Sequence, residues 1–463
     1  MERISFGTDG WRATLEEFTT PRVRMVGQAV SSFLRDEGWE EPVAVGYDAR
    51  ETSRGFAEEL ARVLCANGFD VLLSPRDRPT PLVAHAVVDR GLSGALVVTA
   101  SHNPPEYNGV KFIPHDGAPA LPEVMDAIAT RLAEPTSLPE SDHGTVREVD
   151  FRERHAEAAR SVVEDRLGGP IDLSGLTVAY DAIHGSGRGT TDALLEDAGA
   201  TVQRLRCRDD PTFGGTSPEP RAGNLDELVD GVTAGEADLG VANDGDADRI
   251  AVVTPERGVL DENLFFAALY DFLLEEASGP AIRTVSTTYL IDRVAETQGE
   301  RVYETPVGFK WVAQAMAEHD ALIGGEESGG FTVRGHVREK DGVLMALVAA
   351  AMHAEEPLNA RVNRLLEEHG TVVQDKRSVP CPDEEKRRVL DDLEASIPDS
   401  VAGVNVEDVN AADGFKLLLV DGSWLLVRPS GTEPVLRVYA EAETDDRVDE
   451  LLDAGVDLLE GIG

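Results

Sequence analysis

The chain carries Val43-Ala44-Val45-Gly46-Tyr47-Asp48-Ala49-Arg50, an apolar stretch that runs directly into a polar turn. A helical pattern follows from about residue 55 to residue 66, and a second strand-like stretch begins at Val71. Strands that alternate with helices of this length build βαβ units and therefore parallel sheets. This stretch predicts an α/β fold class for the part of the chain around it.

The same pattern is repeated twice further along the chain. Residues 176–182 again run from a strand into a Tyr-Asp-Ala turn, and a helix and a further strand follow. A third unit predicts a strand over 284–287, a helix over 289–297 and a strand over 301–303. Because the repeats are separated by more than about a hundred residues, far beyond the period of a solenoid, we expect three related α/β domains with parallel or mixed sheets.

The C-terminal segment has a different pattern. Two strand-like stretches, 415–420 and 424–428, flank an Asp-Gly-Ser turn, which is a strong hairpin signal. A third strand over 435–440 and a helix from Asp446 complete a smaller α+β domain. The turn-rich stretches between the units predict four domains with the bounds 1–145, 146–255, 256–370 and 371–463.

The chain is strongly acidic. Its 463 residues include 86 Asp and Glu against 43 Lys and Arg, a formal net charge of −43. Since nucleic acids and anionic membranes are bound through basic surfaces, we expect neither as a partner. An acidic surface repels itself unless salt screens it, so we hypothesise a halophilic protein adapted to a salt-rich cytoplasm. Lysine occurs at only six positions, and two of them, Lys111 and Lys310, lie in the loops described below.

The chain is predicted to be neither exported nor inserted into a membrane. Its first residues lack the basic and apolar pattern of a signal peptide. The richest apolar run, 343–352, is too short to cross a bilayer and predicts a core helix. Cys65, Cys207 and Cys381 lack metal or disulfide spacing, so we interpret them as reduced thiols. These features predict a cytoplasmic protein.

The first chemically distinctive loop is Thr99-Ala100-Ser101-His102-Asn103-Pro104, which follows a predicted strand over 95–98. Loops at the carboxyl ends of strands in α/β sheets are where ligands bind. The prolines after Ser101 restrict the backbone, which suits a nucleophile that must be held in place. Taken alone, the loop is more typical of an ordinary turn without chemistry.

The second loop is Asn243-Asp244-Gly245-Asp246-Ala247-Asp248-Arg249, between strand-like stretches at 238–242 and 250–253. Three carboxylates at alternating positions repel one another unless a cation lies between them. Oxygen ligands favour Mg²⁺ or Ca²⁺ over zinc. An EF-hand is excluded because its glycine and glutamate positions hold Arg249 and Pro255. We therefore predict a metal site, in preference to a solvated acidic turn.

Two further loops have groups suited to a phosphorylated sugar. Gly324-Gly325-Glu326-Glu327-Ser328-Gly329-Gly330 offers carboxylates and a hydroxyl that can bind sugar hydroxyls, although alone it is typical of an acidic turn. Arg428-Pro429-Ser430-Gly431-Thr432-Glu433-Pro434 combines an arginine, two hydroxyls and accessible backbone N–H groups, a pattern that binds phosphate. The chain has no GxxxxGK[ST] motif, so a nucleotide P-loop is excluded.

A serine, a divalent metal site, a hydroxyl-binding loop and a phosphate-binding loop in one chain indicate phosphoryl transfer to or from a sugar. The loops at 99–103, 244–249, 325–329 and 428–434 also resemble the four signature loops of the α-D-phosphohexomutase superfamily, in that family's order and over essentially the whole chain. Each motif alone is weak, but four in order are highly specific.

The resemblance implies a fold and a mechanism. It implies three α/β domains of one topology and a smaller C-terminal domain around a central cleft. It implies that Ser101 is phosphorylated, and that Asp244, Asp246 and Asp248 bind Mg²⁺ together with an oxygen of the Ser101 phosphate. Sugar phosphates are then the substrates, and hexose 1-phosphate and hexose 6-phosphate are interconverted through a hexose 1,6-bisphosphate that turns around in the cleft.

The resemblance also assigns roles to other residues. It places Lys111, Arg12 and His102 in proton transfer or charge stabilisation, although His102 is nearly as typical of a locally bonded turn histidine. The substrate-binding residues that it implies are Arg249 at the transferring phosphoryl group, Glu326 and Ser328 at the sugar hydroxyls, and Lys310, Arg428, Ser430, Gly431 and Thr432 at the other phosphate.

The preferred hexose is left open by the sequence. The Gly329-Gly330 pair stands where mannose-accepting members often carry a histidine, so we expect glucose as the main substrate. Phosphomannomutase or dual activity is the alternative, followed by phosphoglucosamine mutase activity. A metal-dependent serine phosphatase and a non-catalytic sugar-phosphate-binding or Ca²⁺-binding protein are the alternatives from other classes. The sequence does not determine the oligomeric state.

Overall fold

The computed structural model describes residues 4–7, 10–431 and 433–461. Within these residues the strands form four sheets that follow one another along the chain. The first three sheets combine parallel and antiparallel strands with covering helices, whereas the fourth is antiparallel. The predicted fold class, three related α/β domains and a smaller α+β C-terminal domain, is therefore confirmed.

The first sheet has a parallel centre and antiparallel strands at one edge. Its strands are β1 (Trp11–Thr14), β2 (Val43–Tyr47), β3 (Val71–Leu73), β4 (Gly94–Val98), β5 (Tyr107–Pro114) and β6 (Val146–Glu148), in the spatial order β1-β5-β4-β2-β3-β6. Its helices are α1 (Thr20–Asp36), α2 (Ser53–Ala66), α3 (Thr80–Arg90) and α4 (Pro122–Ala129). A helix returns the chain between the parallel strands, while a short loop turns β4 back into antiparallel β5.

The second sheet repeats this centre. Its strands are β7 (Thr177–Asp181), β8 (Thr201–Leu205), β9 (Leu239–Asn243), β10 (Ile250–Thr254) and β11 (Gly258–Leu260), in the order β11-β10-β9-β7-β8. Its helices are α5 (Arg152–Leu167), α6 (Thr191–Asp197) and α7 (Asp226–Thr233).

In the third sheet one predicted strand is displaced toward the N-terminus. Its strands are β12 (Ala281–Thr284), β13 (Val302–Thr305), β14 (Ile323–Glu326) and β15 (Gly330–Val333), in the order β13-β12-β14-β15. Its helices are α8 (Glu262–Leu274), α9 (Leu290–Gln298), α10 (Phe309–His319), α11 (Gly342–Glu355) and α12 (Leu358–His369). The predicted strand over 284–287 is wrong after its first residue, because Thr287 N donates to the Thr284 carbonyl at 3.0 Å and closes a turn.

The fourth sheet contains the predicted Asp-Gly hairpin. Its strands are β16 (Val373–Pro380), β17 (Ser400–Val401), β18 (Val404–Asn410), β19 (Phe415–Leu419), β20 (Trp424–Pro429) and β21 (Val435–Ala442), in the order β16-β21-β20-β19-β18-β17. Its helices are α13 (Asp383–Ala395) and α14 (Asp445–Glu460).

We propose that the four domains follow the four sheets, so that the first two divisions fall a few residues after the predicted positions 145 and 255, and the third stays near 370. Two short strands continue a sheet just beyond such a position. β6 pairs with β3 in the first sheet, and β11 pairs with β10 in the second.

The first three sheets share one arrangement. Each has three parallel strands in the same relative order, β4-β2-β3, β9-β7-β8 and β14-β12-β13. An antiparallel strand, β5, β10 or β15, lies beside β4, β9 or β14, the strand that precedes it in the chain. The loop that joins these two neighbouring strands therefore lies at the carboxyl edge of the parallel strands in every sheet, where ligands of α/β proteins bind.

Helix α11 lies at the centre of the molecule. Its residues 342–352 are all buried, which confirms the predicted core helix. It packs against α5, α6, β9 and β10, and one buried apolar cluster includes residues from each of the first three sheets. The fourth sheet has an apolar cluster of its own.

Two predictions about single features can be compared with the structure. The three cysteines are free thiols. Among the described residues, no helix is both long enough and apolar enough to cross a membrane.

Candidate active site

Three of the four predicted loops are the same hairpin in the three related sheets. The serine loop (99–106) joins β4 to β5, the Asp loop (244–249) joins β9 to β10, and the sugar loop (327–329) joins β14 to β15. The fourth, the phosphate loop (430–434), joins β20 to β21. The repeated topology thus places three chemically different loops at equivalent positions.

Hydrogen bonds with Arg50 and Thr99 hold the serine loop in one conformation. Ser101 is buried and has a φ of +50°, a left-handed conformation that costs a non-glycine residue about 1 kcal/mol or more. Ser101 N donates to Thr99 Oγ1 at 2.8 Å. The guanidinium of Arg50 donates to four carbonyl oxygens of this loop and the strand after it, including that of Ser101 at 2.8 Å. The surroundings therefore fix the strained serine in place.

Ser101 lies directly against the Asp loop. Its Oγ donates to Asp244 Oδ2 at 2.8 Å, although 143 residues separate the two positions. The backbones are equally close, because a Cβ on Gly245 would lie 2.6 Å from the Ser101 carbonyl oxygen. Glycine is thus required at position 245 for the two loops to meet.

The three aspartates form a buried cluster suited to a hard cation. One oxygen from each of Asp244, Asp246 and Asp248 lies within 4.8 Å of the others, and all three residues are buried. Asp246 Oδ1 and Asp248 Oδ1 have no hydrogen-bond partner among the described residues. Buried carboxylate oxygens without partners are costly unless a cation binds them. An all-oxygen donor set of this kind fits Mg²⁺.

Two lysines from other parts of the chain contact the same aspartates. Lys111 Nζ lies 2.9 Å from Asp246 Oδ2 and 3.0 Å from Asp248 Oδ2, and Lys340 Nζ lies 3.2 Å from Asp248 Oδ2. Burial and neighbouring carboxylates act to raise the pKa of Asp246, but the charge of Lys111 outweighs them and lowers it. Lysine charge likewise overcomes burial and lowers the pKa of Asp248.

Asp244 has the opposite electrostatic environment. Burial raises its pKa well above the ordinary value, and the charges of Asp246 and Asp248 raise it further. Carboxylates buried this close together disfavour one another's charge, so a cation bound among them would favour the ionised form of all three.

A cleft of about 560 Å³ opens above the serine and Asp loops. Its lining comes from all four sheets and their loops and includes Arg12, His102, Glu219, Arg221, Arg249, Glu262, Phe309, Glu326, Glu327, Ser328, Lys340, Lys376, Arg428, Ser430, Gly431 and Arg437. Most of the predicted site residues are thus brought together around one cavity. The predicted central cleft is present.

His102 faces this cleft beside the serine. Its Nδ1 lies 3.3 Å from Ser101 Oγ. The charge of Arg249, together with burial and the charge of Arg12, lowers the pKa of His102 to about 2. The imidazole is therefore neutral near pH 7 while the cleft holds no anion. Arg12 Nη1 donates to Asn103 Oδ1 at 3.3 Å, which places it beside the same loop.

The residue before the sugar loop, Glu326, has a raised pKa. Glu326 is 7% exposed, and its Oε1 accepts from Gly308 N at 2.9 Å. Burial raises the pKa of Glu326 to about 7, and the charge of Lys340 limits the rise. Ser328 Oγ is buried without a hydrogen-bond partner among the described residues. Both groups line the cleft and have hydrogen-bonding capacity for a ligand.

The phosphate loop also lines the cleft and is held by an ion pair and by hydrogen bonds. Arg428 Nε lies 2.8 Å from Asp413 Oδ2. Lys386 Nζ donates to the carbonyl oxygens of Ser430 and Glu433, each at 2.6 Å, and so ties the two ends of the loop together. Of the predicted residues here, Thr432 lies outside the described residues.

One predicted substrate-binding residue, Lys310, lies beside an aromatic ring. It lies in the first turn of α10, with Nζ 5.5 Å from the ring centre of Trp311. It is not among the described residues that line the cleft, although its neighbour Phe309 is. A role for Lys310 in phosphate binding therefore stays a prediction.

Several residues that contact the site were missed in the sequence. Thr80, at the start of α3, donates through its N–H to the Asp246 carbonyl at 2.9 Å and through Oγ1 to Asp246 Oδ2 at 2.7 Å. Arg50, Lys340 and Lys386 were also missed. The scarcity of lysine was the available signal, because Lys111, Lys340, Lys376 and Lys386 all lie at the loops or the cleft between them.

Comparison with known proteins agrees with this geometry. Family models described as phosphoglucomutase/phosphomannomutase alpha/beta/alpha domains I, II and III match residues 3–138, 158–258 and 261–370. The model of the phosphoglucomutase/phosphomannomutase C-terminal domain matches residues 378–458. The four matches follow the order of the four sheets.

Individual relatives are similar over nearly the whole chain. A protein of Methanopyrus kandleri named probable phosphoglucosamine mutase is 34% identical over 98% of this chain and 97% of its own length. A phosphoglucomutase/phosphomannomutase of Thermococcus kodakarensis is 32% identical over 98% of both chains. A solved structure from Thermus thermophilus, described as a phosphomannomutase, is 31% identical over 99% of both chains with a TM-score of 0.85.

These relatives are mutases, which are isomerases that transfer a phosphoryl group within a sugar. The chain is accordingly an enzyme of this class, and the alternative of a non-catalytic binding protein is set aside. With four domain matches in order and relatives that span its whole length, the chain belongs to the α-D-phosphohexomutase superfamily.

Proposed function

We propose that the enzyme interconverts the 1- and 6-phosphates of aldohexoses, with glucose and mannose both accepted. The observation that carries this proposal is the 2.8 Å contact of Ser101 Oγ with Asp244, beside a cleft that is lined both by their neighbours His102 and Arg249 and by the phosphate loop. The first set of groups suits phosphoryl transfer, and the phosphate loop suits the phosphate that does not react.

Ser101 is proposed to carry the transferred phosphoryl group. In the first half-reaction the bond between Ser101 Oγ and phosphorus breaks while a sugar hydroxyl oxygen forms a bond to that phosphorus. One proton moves from the sugar oxygen to Ser101 Oγ, and the second half-reaction reverses this movement. His102 Nδ1 lies 3.3 Å from Ser101 Oγ, so this imidazole is placed to relay that proton once the anionic phosphoryl group offsets the charges of Arg249 and Arg12.

Asp244, Asp246 and Asp248 are proposed to hold Mg²⁺ as the cofactor. When bound, the ion neutralises charge on the transferring phosphoryl group. Arg249 and Arg12, which line the cleft near His102, stabilise the same group by charge. Lys111 keeps Asp246 and Asp248 ionised as ligands.

A cleft lined by the serine and Asp loops and by the phosphate loop also suits the proposed bisphosphate intermediate. A hexose 1,6-bisphosphate has a phosphate at each end, so it can place either one at Ser101 while Arg428, Ser430 and Gly431 bind the other. A serine phosphatase would need no second phosphate site, so the phosphate loop argues against that alternative.

The choice of hexose rests on the carbon-2 substituent. Glucose and mannose differ only in the orientation of the carbon-2 hydroxyl, whereas Glu326 and Ser328 are suited to hydroxyls that both sugars share. The relatives named phosphoglucomutase/phosphomannomutase and phosphomannomutase support dual activity better than the glucose preference expected from the sequence.

Phosphoglucosamine mutase activity is the second candidate. Glucosamine phosphates carry an ammonium group at carbon 2. Glu262 and Glu327 line the cleft together with Glu326, and burial together with the charge of Asp261 raises the pKa of Glu262 to about 7. Acidic groups of this kind suit a cationic sugar, and the Methanopyrus kandleri relative carries this name.

The test compares turnover of the 1-phosphates of glucose, mannose and glucosamine, with hexose 1,6-bisphosphate and Mg²⁺ present and Ser101→Ala as the control. We expect kcat/KM values for glucose and mannose within about tenfold of each other, a difference of about 1.4 kcal/mol. A preference of more than about tenfold for glucosamine establishes the second candidate instead. Absence of turnover on all three substrates contradicts the proposed function.

A further inference from the structure

A second buried cluster lies beneath the Asp loop, and the reaction described above does not use it. His85 of α3, His155 of α5 and His336 of the segment between β15 and α11 have ring centres 5.3–5.6 Å apart. Asp341, which is fully buried, lies between two of them. Its Oδ2 is 2.6 Å from His155 Nε2 and 2.7 Å from His336 Nε2.

These distances decide what holds the cluster together. Nitrogen and oxygen ligands at about 2.1 Å from a tetrahedral zinc ion would lie about 3.4 Å from each other. Contacts of 2.6 and 2.7 Å are instead hydrogen-bond distances. Burial acts to raise the pKa of Asp341, but the two imidazoles lower it below the ordinary range, so the carboxylate is ionised and both Nε2–H groups donate to it.

The other oxygen of Asp341 is also engaged. Oδ1 accepts from Leu344 N at 2.8 Å and caps the first turn of α11, the helix at the centre of the molecule. The carboxylate therefore joins α5, the segment before α11 and α11 itself. We call His155, His336 and Asp341 the clasp.

The residues on either side of Asp341 contact the Asp loop. Gly342 N donates to the Ala247 carbonyl at 3.2 Å, and a Cβ on Gly342 would lie 2.3 Å from the Arg249 carbonyl oxygen. On the other side, Lys340 Nζ lies 3.2 Å from Asp248 Oδ2. The segment 340–342 is therefore packed tightly against the loop.

Ala247 makes this contact consequential. It has a φ of +53°, a left-handed conformation that an alanine adopts only when its surroundings impose it. Because Ala247 separates Asp246 from Asp248, its backbone conformation determines where the two carboxylates point. If Gly342 moved away, Ala247 would relax and the ligand oxygens would separate.

We propose that the clasp is a positioning device, in which His155 and His336 hold Asp341 so that Gly342 keeps Ala247 strained and the three aspartates preorganised for their divalent cation. This inference rests on the proposed cation site in the Asp loop. None of the three clasp residues lines the cleft in which the substrate is proposed to bind.

The test uses matched substitutions at the histidines. Gln at position 155 or 336 can replace the Nε2–H donor, whereas Leu cannot, so His155→Gln and His155→Leu separate the donor from the bulk. Mn²⁺, bound in place of Mg²⁺ and followed by electron paramagnetic resonance, reports cation affinity without any turnover. Val163→Ala, a core truncation on the same helix α5, controls for lost stability alone.

We expect His155→Leu and His336→Leu to weaken Mn²⁺ binding by about tenfold or more, the range typical of residues that orient metal ligands. The Gln variants should stay within about threefold of the wild type, and Val163→Ala should bind normally. In the mutase assay the Leu variants should need correspondingly more Mg²⁺ while KM for the sugar phosphate changes little. Asp341→Asn, which keeps the shape but removes the charge, should match the Leu variants and serves if those do not fold.

Three results would overturn the proposal. They are normal Mn²⁺ affinity in the Leu and Asn variants, an equal loss in Val163→Ala, or a stoichiometric transition metal in the purified protein together with Gln variants as impaired as the Leu variants. The last result would establish a metal centre at the histidines instead. If the wild type lacks mutase turnover but Mn²⁺ affinity follows the expected pattern, the clasp stands and only the proposed function fails.

Discussion

Among the described residues there are two buried triads of possible ligands, and they differ in the groups that satisfy their ligand atoms. In each triad one ligand atom per residue lies within 4.8 Å of the others. Asp244, Asp246 and Asp248 leave two carboxylate oxygens without partners among the described residues. In the clasp, the ligand atoms satisfy one another through hydrogen bonds at 2.6 and 2.7 Å.

Proximity of ligand-type residues therefore does not by itself identify a metal site. Ionised carboxylates have no proton to donate to each other, and Lys111 and Lys340 contact only Oδ2 of Asp246 and Asp248, so a further cation fits the Oδ1 atoms that remain. Two imidazoles and one carboxylate have complementary donors and acceptors, and they close into a network without one. We therefore infer one cation site, in the Asp loop, and one structural clasp behind it.

The largest expected effect is the loss of turnover when Ser101, which contacts the Asp loop, is replaced. Replacing Ser101 with Ala removes the oxygen that is proposed to carry the phosphoryl group, and turnover should fall by at least about a thousandfold. The measurement is the steady-state rate with hexose 1,6-bisphosphate present. Ser137→Ala, at an exposed serine, is the control. Turnover in Ser101→Ala close to that of the wild type would contradict the assignment.

The next expected effect is a loss of Mn²⁺ affinity, which should be larger for a proposed ligand, Asp246, than for a residue that positions the ligands, His155. Asp246→Asn removes a charged ligand, so Mn²⁺ affinity should fall by about a hundredfold or more, beyond the loss expected for the clasp variants. Calorimetric or spectroscopic titration of the metal-free protein measures this. A smaller loss in Asp246→Asn than in His155→Leu would reverse the roles given to the two triads.

A third test uses the protonation of Glu326, which faces the cleft between the Asp loop and the phosphate loop. Its pKa of about 7 lies above the ordinary value of 4.5, so the folded protein retains a proton that the unfolded chain releases. The carboxyl group therefore contributes its full stability below pH 4.5, and this contribution is lost as the pH rises through 7.

Glutamine cannot ionise, so Glu326→Gln should be more stable than the wild type at pH 9, by up to about 3 kcal/mol, and similar to it near pH 5. Denaturant unfolding of the metal-free protein at both pH values measures this. Activity should fall, because the group is proposed to bind sugar hydroxyls. Glu51→Gln, at an exposed position, is the control variant. Equal stability of Glu326→Gln and the wild type at pH 9 would show that burial does not shift this group.

The smallest expected effect is a change in melting temperature with salt, which screens the excess of acidic side chains at the surface. With a net charge of −43, raising KCl from dilute buffer to molar concentration should increase the melting temperature by at least about 5 °C. A variant that neutralises the exposed Glu384, Glu385 and Glu394 should gain less from salt. An unchanged melting temperature of the wild type would contradict the proposed halophilic adaptation. The hydrogen bonds and ion pairs of the two buried triads should be nearly insensitive to salt, because salt screens mainly exposed charges.

Much of the fold could be predicted because its signals are local. The strand at 43–47 and the Asp-Gly hairpin follow from residue spacing and turn chemistry within a few positions. The strand expected over 284–287 failed because Thr and Val favour strands in general, whereas a turn fixes residues 285–287 here.

The candidate site was predictable to the extent that it consists of contiguous motifs. Ser101 and the three aspartates were identified from two loops, and the structure brings Ser101 and Asp244 into contact. Lys340, Thr80 and Arg50 were not identified, because each acts on a loop far away in the chain. No local pattern records such a partnership.

Most helices and strands, the acidic composition and the four loops could be derived from the amino-acid sequence, since these depend on neighbouring residues and residue counts. The folded structure was needed to show that three of the loops are equivalent hairpins, and that Lys111, Lys340 and Thr80 share two aspartates. It alone also joined His155, His336 and Asp341 into a clasp. The physical reason is that hydrogen bonds and ion pairs depend on distance in space, which the packing around α11 sets for residues separated by a hundred or more positions.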